Sequence, residues 1–214
     1  MPEPTYAPAH QFEDVDQQHE ASWLGMWIFL ATEILFFGGM FTGYVLYRSL
    51  YPAAFADASR QLEVVLGATN TIVLICSSLT MAMAVHTAQV GRRKALVGFL
   101  LATMGLGLAF LMIKGIEYAH KFEHHLVPGS SFIYAERFAR HAQLFFSFYF
   151  VMTGMHALHM VIGVCLLAAL VSKSLRGRFS PTHYTPIEIT GLYWHFVDII
   201  WIFLFPLLYL IDRH

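Results

Sequence analysis

The feature that most constrains this chain is the length of its uncharged apolar segments. Residues 142–172 run for 31 positions without Asp, Glu, Lys or Arg. A bilayer core about 30 Å thick is crossed by about 20 residues of α-helix, and lipid offers no partner to an unpaired backbone group. This segment therefore predicts a membrane-spanning helix. At 1.5 Å per residue it is about 46 Å long, so it must tilt or project beyond the bilayer.

Four more long apolar segments, each with at most one charged residue, bring the predicted number of crossings to five. They are residues 22–47, 64–85, 95–113 and 189–211. Hydrophobic residues make up 57% of the chain and charged residues 13%, against about a quarter in soluble domains. We predict an all-α polytopic membrane protein, a helix bundle in one domain over residues 22–212 that follows a tail over residues 1–21. The predicted helices cover residues 22–48, 62–89, 94–123, 138–173 and 188–212.

Charge and cysteine content exclude other classes of protein. A net charge of -1 lacks the basic surface of a nucleic-acid binder, so no nucleic-acid partner is expected. The acidic start, without Lys or Arg in the first 22 residues, is unlike a cleavable signal peptide. Cys76 and Cys165 lie far apart in apolar segments, and we expect both to be small residues of the protein core.

Basic residues in the short loops predict the orientation in the membrane. Two dense clusters lie in the second-to-third and fourth-to-fifth connections: Arg92, Arg93 and Lys94, then Lys173, Arg176 and Arg178. Both connections lie on one side if there are five spans. We predict that this side, and with it the N-terminus, is cytoplasmic, which places residues 212–214 outside.

Glu33 is the only charged residue of the first span. A carboxyl group in hydrocarbon must be neutral or paired, so it is either a proton-related group or part of an interhelical hydrogen bond. Gly39 and Gly43 follow with GxxxG spacing, which predicts a close helix contact and favours the structural role.

The fourth span contains Thr153, His156 and His159 at three-residue intervals, which predicts a shared helix face. Two histidines at this spacing can hold a metal ion, but the helix supplies no third ligand. A buried polar network is therefore the favoured interpretation, and we expect no metal site.

The fifth span places His195 three residues before Asp198. The two side chains can form hydrogen bonds with each other or with a partner protein. A bis-histidine haem site is the alternative, and it requires His195 to face His156 or His159 on the fourth helix.

Beyond the third span the sequence becomes polar. Its charged and histidine side chains are Lys114, Glu117, His120, Lys121, Glu123, His124 and His125. We expect a solvated helical extension, with weak metal binding by the histidines as the alternative. P-loop, GxSxG, HExxH and CxxC motifs are absent from the sequence, so no catalytic centre is indicated.

The sequence resembles subunit III of the haem-copper oxidases, the family of cytochrome c and quinol oxidases. The motifs that carry the resemblance are GMW at 25–27, TE at 32–33, FFGG at 36–39, NT at 70–71, SS at 77–78, EY at 117–118, TGMHALH at 153–159, IG at 162–163 and YWHFVD at 193–198 with Trp201. They occur in the expected order from residue 23 to the C-terminus. The chain resembles the short bacterial form with five helices, which lacks the two preceding helices of the seven-helix form.

The resemblance implies a non-catalytic subunit of a terminal oxidase in the bacterial cytoplasmic membrane. Such a subunit binds no haem or copper itself, since these lie in partner subunits. It packs on subunit I, in a complex that also contains subunit II, supports proton uptake and stability, and holds phospholipid in a cleft between its helices.

The same resemblance assigns roles to individual residues. Glu33 occupies the position of the family's carbodiimide-reactive carboxyl group. The expected buried network residues are Thr153, His156, His159, His195 and Asp198. Lys173 and Arg176 are candidates for contact with anionic lipid headgroups, because they lie near the predicted cytoplasmic interface.

Two other functions remain open at the level of sequence. An accessory protein of nitric oxide reductase shares the fold and the glutamate motif, and a free-standing proton channel or transporter would use Glu33 and the histidines. The electron donor, cytochrome c or quinol, is set by subunit II. Contacts with further respiratory complexes would involve the longer external loops.

Overall fold

The computed structural model describes residues 11–129, 132–134, 139–181 and 183–211, and over this part of the chain it contains six α-helices and no β-strand. The helices are α1 (Val15–Leu50), α2 (Pro52–Arg60), α3 (Val64–Gln89), α4 (Arg93–Glu123), α5 (Ala139–Leu175) and α6 (Thr185–Tyr209). All except α2 are long and apolar enough to cross a membrane. The predicted all-α architecture with five spans is confirmed.

Helix α1 begins at Val15, seven residues before the predicted start of the first span. Asp14 explains the difference, because its carboxylate accepts a hydrogen bond from the backbone N–H of Gln17 at 2.7 Å and caps the helix. The 36 residues of α1 measure about 54 Å, so the helix is longer than a bilayer core is thick. Residues 1–10 of the predicted tail lie outside the described residues.

Helix α2 was not predicted, because its nine residues are too short to span a membrane. Pro52 starts the helix at a position where the missing N–H costs nothing. Phe55 is fully buried, and its ring lies 5.5 Å from the ring of Phe145 on α5. The connection between α1 and α3 is therefore packed onto the bundle.

Helices α3 to α6 form the core of the bundle, and α1 lies against α5 and α6. Trp194 of α6 is fully buried between two helices that each present a glycine. A Cβ atom would lie 2.7 Å from the Trp194 ring at Gly107 of α4 and 2.8 Å from it at Gly163 of α5. These two glycines therefore make room for the indole.

Two expectations about small residues are wrong. Gly39 has open space around its Cα, and only Gly43 of the GxxxG pair has a neighbour, the ring of Phe148 at 3.4 Å. Cys76 and Cys165 are exposed on the outer faces of α3 and α5. A sequence pattern that shows an apolar helix does not show which of its faces packs inward, because lipid and protein core are both apolar.

The two basic connections lie at the same end of the bundle, as predicted. The guanidinium group of Arg93 donates hydrogen bonds to the carbonyls of Ser174, at 2.8 Å, and of Leu175. These carbonyls end α5, so Arg93 caps that helix and joins it to α4. The turn before Arg93 requires Gly91, whose φ is +71°. Residues 212–214, predicted to lie on the other side, are outside the described part of the chain.

Candidate functional site

The membrane carboxyl group of α1 pairs with a histidine of α5. The Oε2 atom of Glu33 lies 3.2 Å from Nε2 of His159, and the two side chains are 18% and 10% exposed. Glu33 therefore reaches inward from the outermost helix to the bundle. The edge of the Phe37 ring lies against the imidazole, with ring centroids 5.4 Å apart.

A backbone carbonyl and an aromatic hydroxyl hold His159 in place. The Nδ1 atom of His159 lies 2.8 Å from the carbonyl oxygen of Met155. The hydroxyl of Tyr193 donates a hydrogen bond to the backbone carbonyl of His159 at 3.0 Å. Because a carbonyl oxygen only accepts, Nδ1 carries a hydrogen and Nε2 faces Glu33. The hydrogen bond between the pair then contains one proton, carried by either the carboxyl group or the imidazole.

The polar residues of α5 do not share one environment, although the sequence predicts a shared face. Thr153 donates to the carbonyl of Tyr149 at 2.6 Å and lies 2.5 Å from the Tyr118 hydroxyl of α4. Successive residues turn by about 100°, so six positions carry His159 about 120° away from Thr153, toward α1. Thr153 and His159 therefore lie on different sides of α5.

His156 is fully buried between α5, α4 and α6. Its ring centroid lies 5.3 Å from that of Phe110 and 5.2 Å from that of Trp201. Neither ring nitrogen has a hydrogen-bond partner among the described residues. Asn70 of α3 is equally buried, and its side-chain amide also has no partner in the described chain.

His195 and Asp198 of α6 do not form a hydrogen bond with each other. The Nδ1 atom of His195 lies 2.7 Å from the Ser78 hydroxyl of α3. Asp198 is 3% exposed, and neither carboxyl oxygen has a partner of good geometry among the described residues, although Ser78 lies beside it.

The strongest polar cluster was not predicted. We expected a solvated extension after the third span, but Lys114 and Glu117 are 3% and 0% exposed. Lys114 donates to Glu117 at 3.0 Å, to the Tyr209 hydroxyl at 2.9 Å and to the Tyr149 hydroxyl at 3.2 Å. Both tyrosines donate in turn to the other oxygen of Glu117, at 2.6 Å for Tyr209 and 2.9 Å for Tyr149. All three hydrogens of the ammonium group therefore have acceptors.

Aromatic rings surround the same ammonium group. Its nitrogen lies 5.0 to 5.6 Å from the ring centroids of Tyr118, Tyr149, Trp201 and Tyr209. These distances allow cation–π attraction, which stabilises a desolvated cation. The i,i+3 spacing of Lys114 and Glu117 was a visible signal, but Tyr149 and Tyr209 come from distant parts of the sequence.

The end of the same extension is divided between core and surface. Lys121 is also buried, so the prediction is wrong there too, and it donates to the carbonyl of Gln61 at 2.6 Å. His120 lies 3.2 Å from Glu63, with both side chains nearly half exposed. His124 and His125 are exposed as expected. No three His, Cys, Asp or Glu side chains gather as a metal site within the described residues.

Lys173 lines a cavity of about 630 Å³ at the end of the bundle that carries the basic connections. The cavity lies between the start of α1, the end of α5 and the start of α6, and a contact of 3.0 Å between His19 and Thr185 joins two of these helices. Burial and the charge of Lys173 lower the pKa of His183, which also lines the cavity. Arg176 is exposed nearby and is not part of the lining.

Comparisons with known proteins agree with this architecture. The family model described as cytochrome c oxidase subunit III matches residues 3–212. Cytochrome c oxidase subunit 3 of Synechocystis sp. is 35% identical over 87% of this chain and 74% of its own length. The protein of the same name from Thermostichus vulcanus is 31% identical over 93% of both chains, and that from Corynebacterium diphtheriae is 30% identical over 88% of this chain and 87% of its own. The chain therefore belongs to the cytochrome c oxidase subunit III family.

Proposed function

We propose that this chain is the non-catalytic subunit III of a respiratory terminal oxidase and that it supports proton uptake by the catalytic subunit I. The observation that carries the proposal is the pair formed by Glu33 and His159. In this proposal haem and copper are bound by partner subunits. Subunit II supplies the electron entry site.

The geometry of the pair favours a proton-related role over a purely structural one. A structural hydrogen bond would be served best by complete burial, yet Glu33 retains 18% of its side-chain exposure. The proton between Glu33 and His159 can also sit on either the carboxyl group or Nε2 with nearly the same atomic positions. This follows because Nδ1 of His159 already donates its hydrogen to a backbone carbonyl, which leaves Nε2 for Glu33. The pair can thus exchange a proton with a neighbouring subunit or with bound water.

The cavity beside Lys173 is the proposed site for an anionic phospholipid. An ammonium group at the edge of an apolar bundle attracts a phosphate, and the cavity also presents the hydroxyl groups of Ser22 and Thr185. Arg176 lies on the exposed surface of the same end and adds positive charge. We propose that lipid held here stabilises the contact of α1 with the rest of the bundle.

The proposed location is the bacterial cytoplasmic membrane, with the N-terminus on the cytoplasmic side. The clustering of both basic connections at one end of the bundle supports this orientation.

The test compares two carboxyl–imidazole pairs of the same length. In Glu33→Gln the amide can still donate to His159, but the pair loses its exchangeable carboxyl proton. In the control, Glu63→Gln, the change affects a surface pair that also spans 3.2 Å. Proton uptake during turnover is measured with a pH-sensitive dye in the purified oxidase. We expect slower uptake and earlier inactivation for Glu33→Gln alone.

Equal uptake rates in the two variants would refute the proton role of Glu33. Loss of this chain from the purified complex in both variants would instead show that the carboxyl groups serve assembly.

A further inference from the structure

The pair of Glu33 and His159 has aromatic rings beside it at two levels of the bundle. Phe29 and Phe37 lie one turn before and one turn after Glu33 on α1. The edge of Phe37 covers the imidazole, with ring centroids 5.4 Å apart. One turn away, the ring centroid of Phe29 lies 6.0 Å from that of Tyr193 on α6. A third helix therefore takes part in the surroundings of the pair.

Tyr193 contacts both helices that carry the pair. Its ring lies beside the imidazole of His159, with centroids 6.4 Å apart and planes inclined by 30°. Its hydroxyl donates a hydrogen bond to the backbone carbonyl of the same histidine at 3.0 Å. Through Phe29 the same ring also packs on α1. Because Tyr193 is only 4% exposed, these contacts lie inside the bundle.

The packing of Tyr193 restricts the orientation of His159. A histidine side chain has several staggered rotamers, and the observed one brings Nε2 to Glu33. Gly163, one turn after His159, lets α6 approach closely, since a Cβ atom there would lie 3.4 Å from the Tyr193 ring. A ring packed this closely beside the imidazole, with its hydroxyl bonded to the backbone of the same residue, leaves His159 little freedom to turn away.

We propose that Tyr193 is a positioning residue of this pair, which holds the imidazole of His159 where Nε2 meets the carboxyl group of Glu33. The inference rests on the proposed function and deepens it, because it names the side chain that keeps the two groups in contact. Tyr193 acts through His159 alone, since its hydroxyl is directed at a backbone carbonyl and not at Glu33.

The test removes the hydroxyl of Tyr193 and keeps its ring, in Tyr193→Phe. Tyr44→Phe is the matched control, because the Tyr44 hydroxyl also donates to a backbone carbonyl of α6, that of Leu207 at 2.8 Å. Tyr44 lies about 16 Å further along α1 than Glu33. Both variants are purified in the intact oxidase and treated with a hydrophobic carbodiimide. Mass spectrometry then gives the labelling rate of Glu33 over a range of pH.

We expect Glu33 to react about fivefold faster in Tyr193→Phe than in the unaltered chain, the factor that corresponds to one hydrogen bond of ordinary strength. A carboxyl group in hydrocarbon that loses its partner keeps its proton, and this is the form that the reagent attacks. Tyr44→Phe should react at the unaltered rate. In a His159→Phe background, Tyr193→Phe should have no further effect, because no imidazole is left to position.

Equal labelling rates in Tyr193→Phe and the unaltered chain would overturn the positioning role, and so would an equal increase in the control. An undiminished effect of Tyr193→Phe in the His159→Phe background would also overturn it. If Tyr193→Phe does not assemble, Phe29→Leu tests the same packing from α1, and Phe29 is exposed enough to be replaced without loss of the bundle. Unchanged labelling in Phe29→Leu would then overturn the inference.

The labelling experiment and the test of the proposed function can fail separately. Labelling is measured without turnover, so its result does not depend on proton uptake. Unchanged labelling in Tyr193→Phe, together with slower uptake in Glu33→Gln, would overturn the positioning role alone. Faster labelling in Tyr193→Phe, together with unchanged uptake in Glu33→Gln, would refute the proposed function and leave Tyr193 as the residue that holds the pair.

Discussion

The buried pair of Lys114 and Glu117 predicts an asymmetric response to mutation. Glu117 accepts hydrogen bonds from Lys114, Tyr149 and Tyr209. In Lys114→Met the carboxylate therefore keeps two hydroxyl donors. In Glu117→Gln the ammonium group keeps only neutral acceptors and ring faces, with no negative charge to balance it in the bundle interior.

The expected loss of stability in each variant follows from this difference. Removing one partner of a buried ion pair costs about 3 to 5 kcal/mol, because the other charge is left uncompensated. We expect Glu117→Gln to lie at the upper end of this range and Lys114→Met below it. The double variant, which removes both charges, should be less destabilised than Glu117→Gln alone.

The assay is thermal unfolding of the oxidase complex in mild detergent, followed by the loss of this chain from the complex on size-exclusion chromatography. A matched control is Glu123→Gln, because Glu123 ends the same helix and is exposed. Equal losses for the two single variants, or a double variant less stable than Glu117→Gln, would refute the argument from unbalanced buried charge.

Three further changes test other parts of the structure. Glu33→Gln should abolish labelling by a hydrophobic carbodiimide, which needs a carboxyl group, and undiminished labelling would show that another residue reacts. Gly107→Ala should destabilise the bundle by about 1 to 3 kcal/mol through collision with Trp194, whereas Gly105→Ala, with open space around it, should be neutral or stabilising; thermal unfolding of both variants measures the difference. The pKa of His183 is lowered in the folded chain, so the unfolded chain binds more protons below its ordinary pKa of about 6.5 and stability falls as the pH drops from 7 to 5; His183→Gln should flatten this slope in melting temperatures, and an unchanged slope would refute it.

The membrane class and the number of spans were readable from the sequence, because they depend on segment length and charge alone. Glu33 was identified in the same way, since one carboxyl group in a long apolar segment is conspicuous. The early start of α1 was missed because the cap at Asp14 lies in a polar stretch without apolar periodicity. Helix α2 was missed because only its packing against α5 distinguishes it from a loop.

Partners of the polar residues were not readable, because they depend on contacts between distant parts of the chain. The partner of Glu33 is His159, 126 residues away, and the ammonium group of Lys114 meets Tyr209 across 95 residues. Local polarity suggested solvent around Lys114, and only the tertiary structure shows that aromatic rings of α5 and α6 enclose it.

The sequence by itself determined that the chain crosses a membrane five times and places a carboxyl group inside it, because the hydrocarbon core accepts long helices that are predominantly apolar. Only the tertiary structure decided which helix faces turn inward. In a membrane, lipid and protein core are equally apolar, so hydrophobicity does not separate the buried Trp194 from the exposed Cys76. That separation comes from shape, through the space left by Gly107 and Gly163, and from hydrogen bonding between helices.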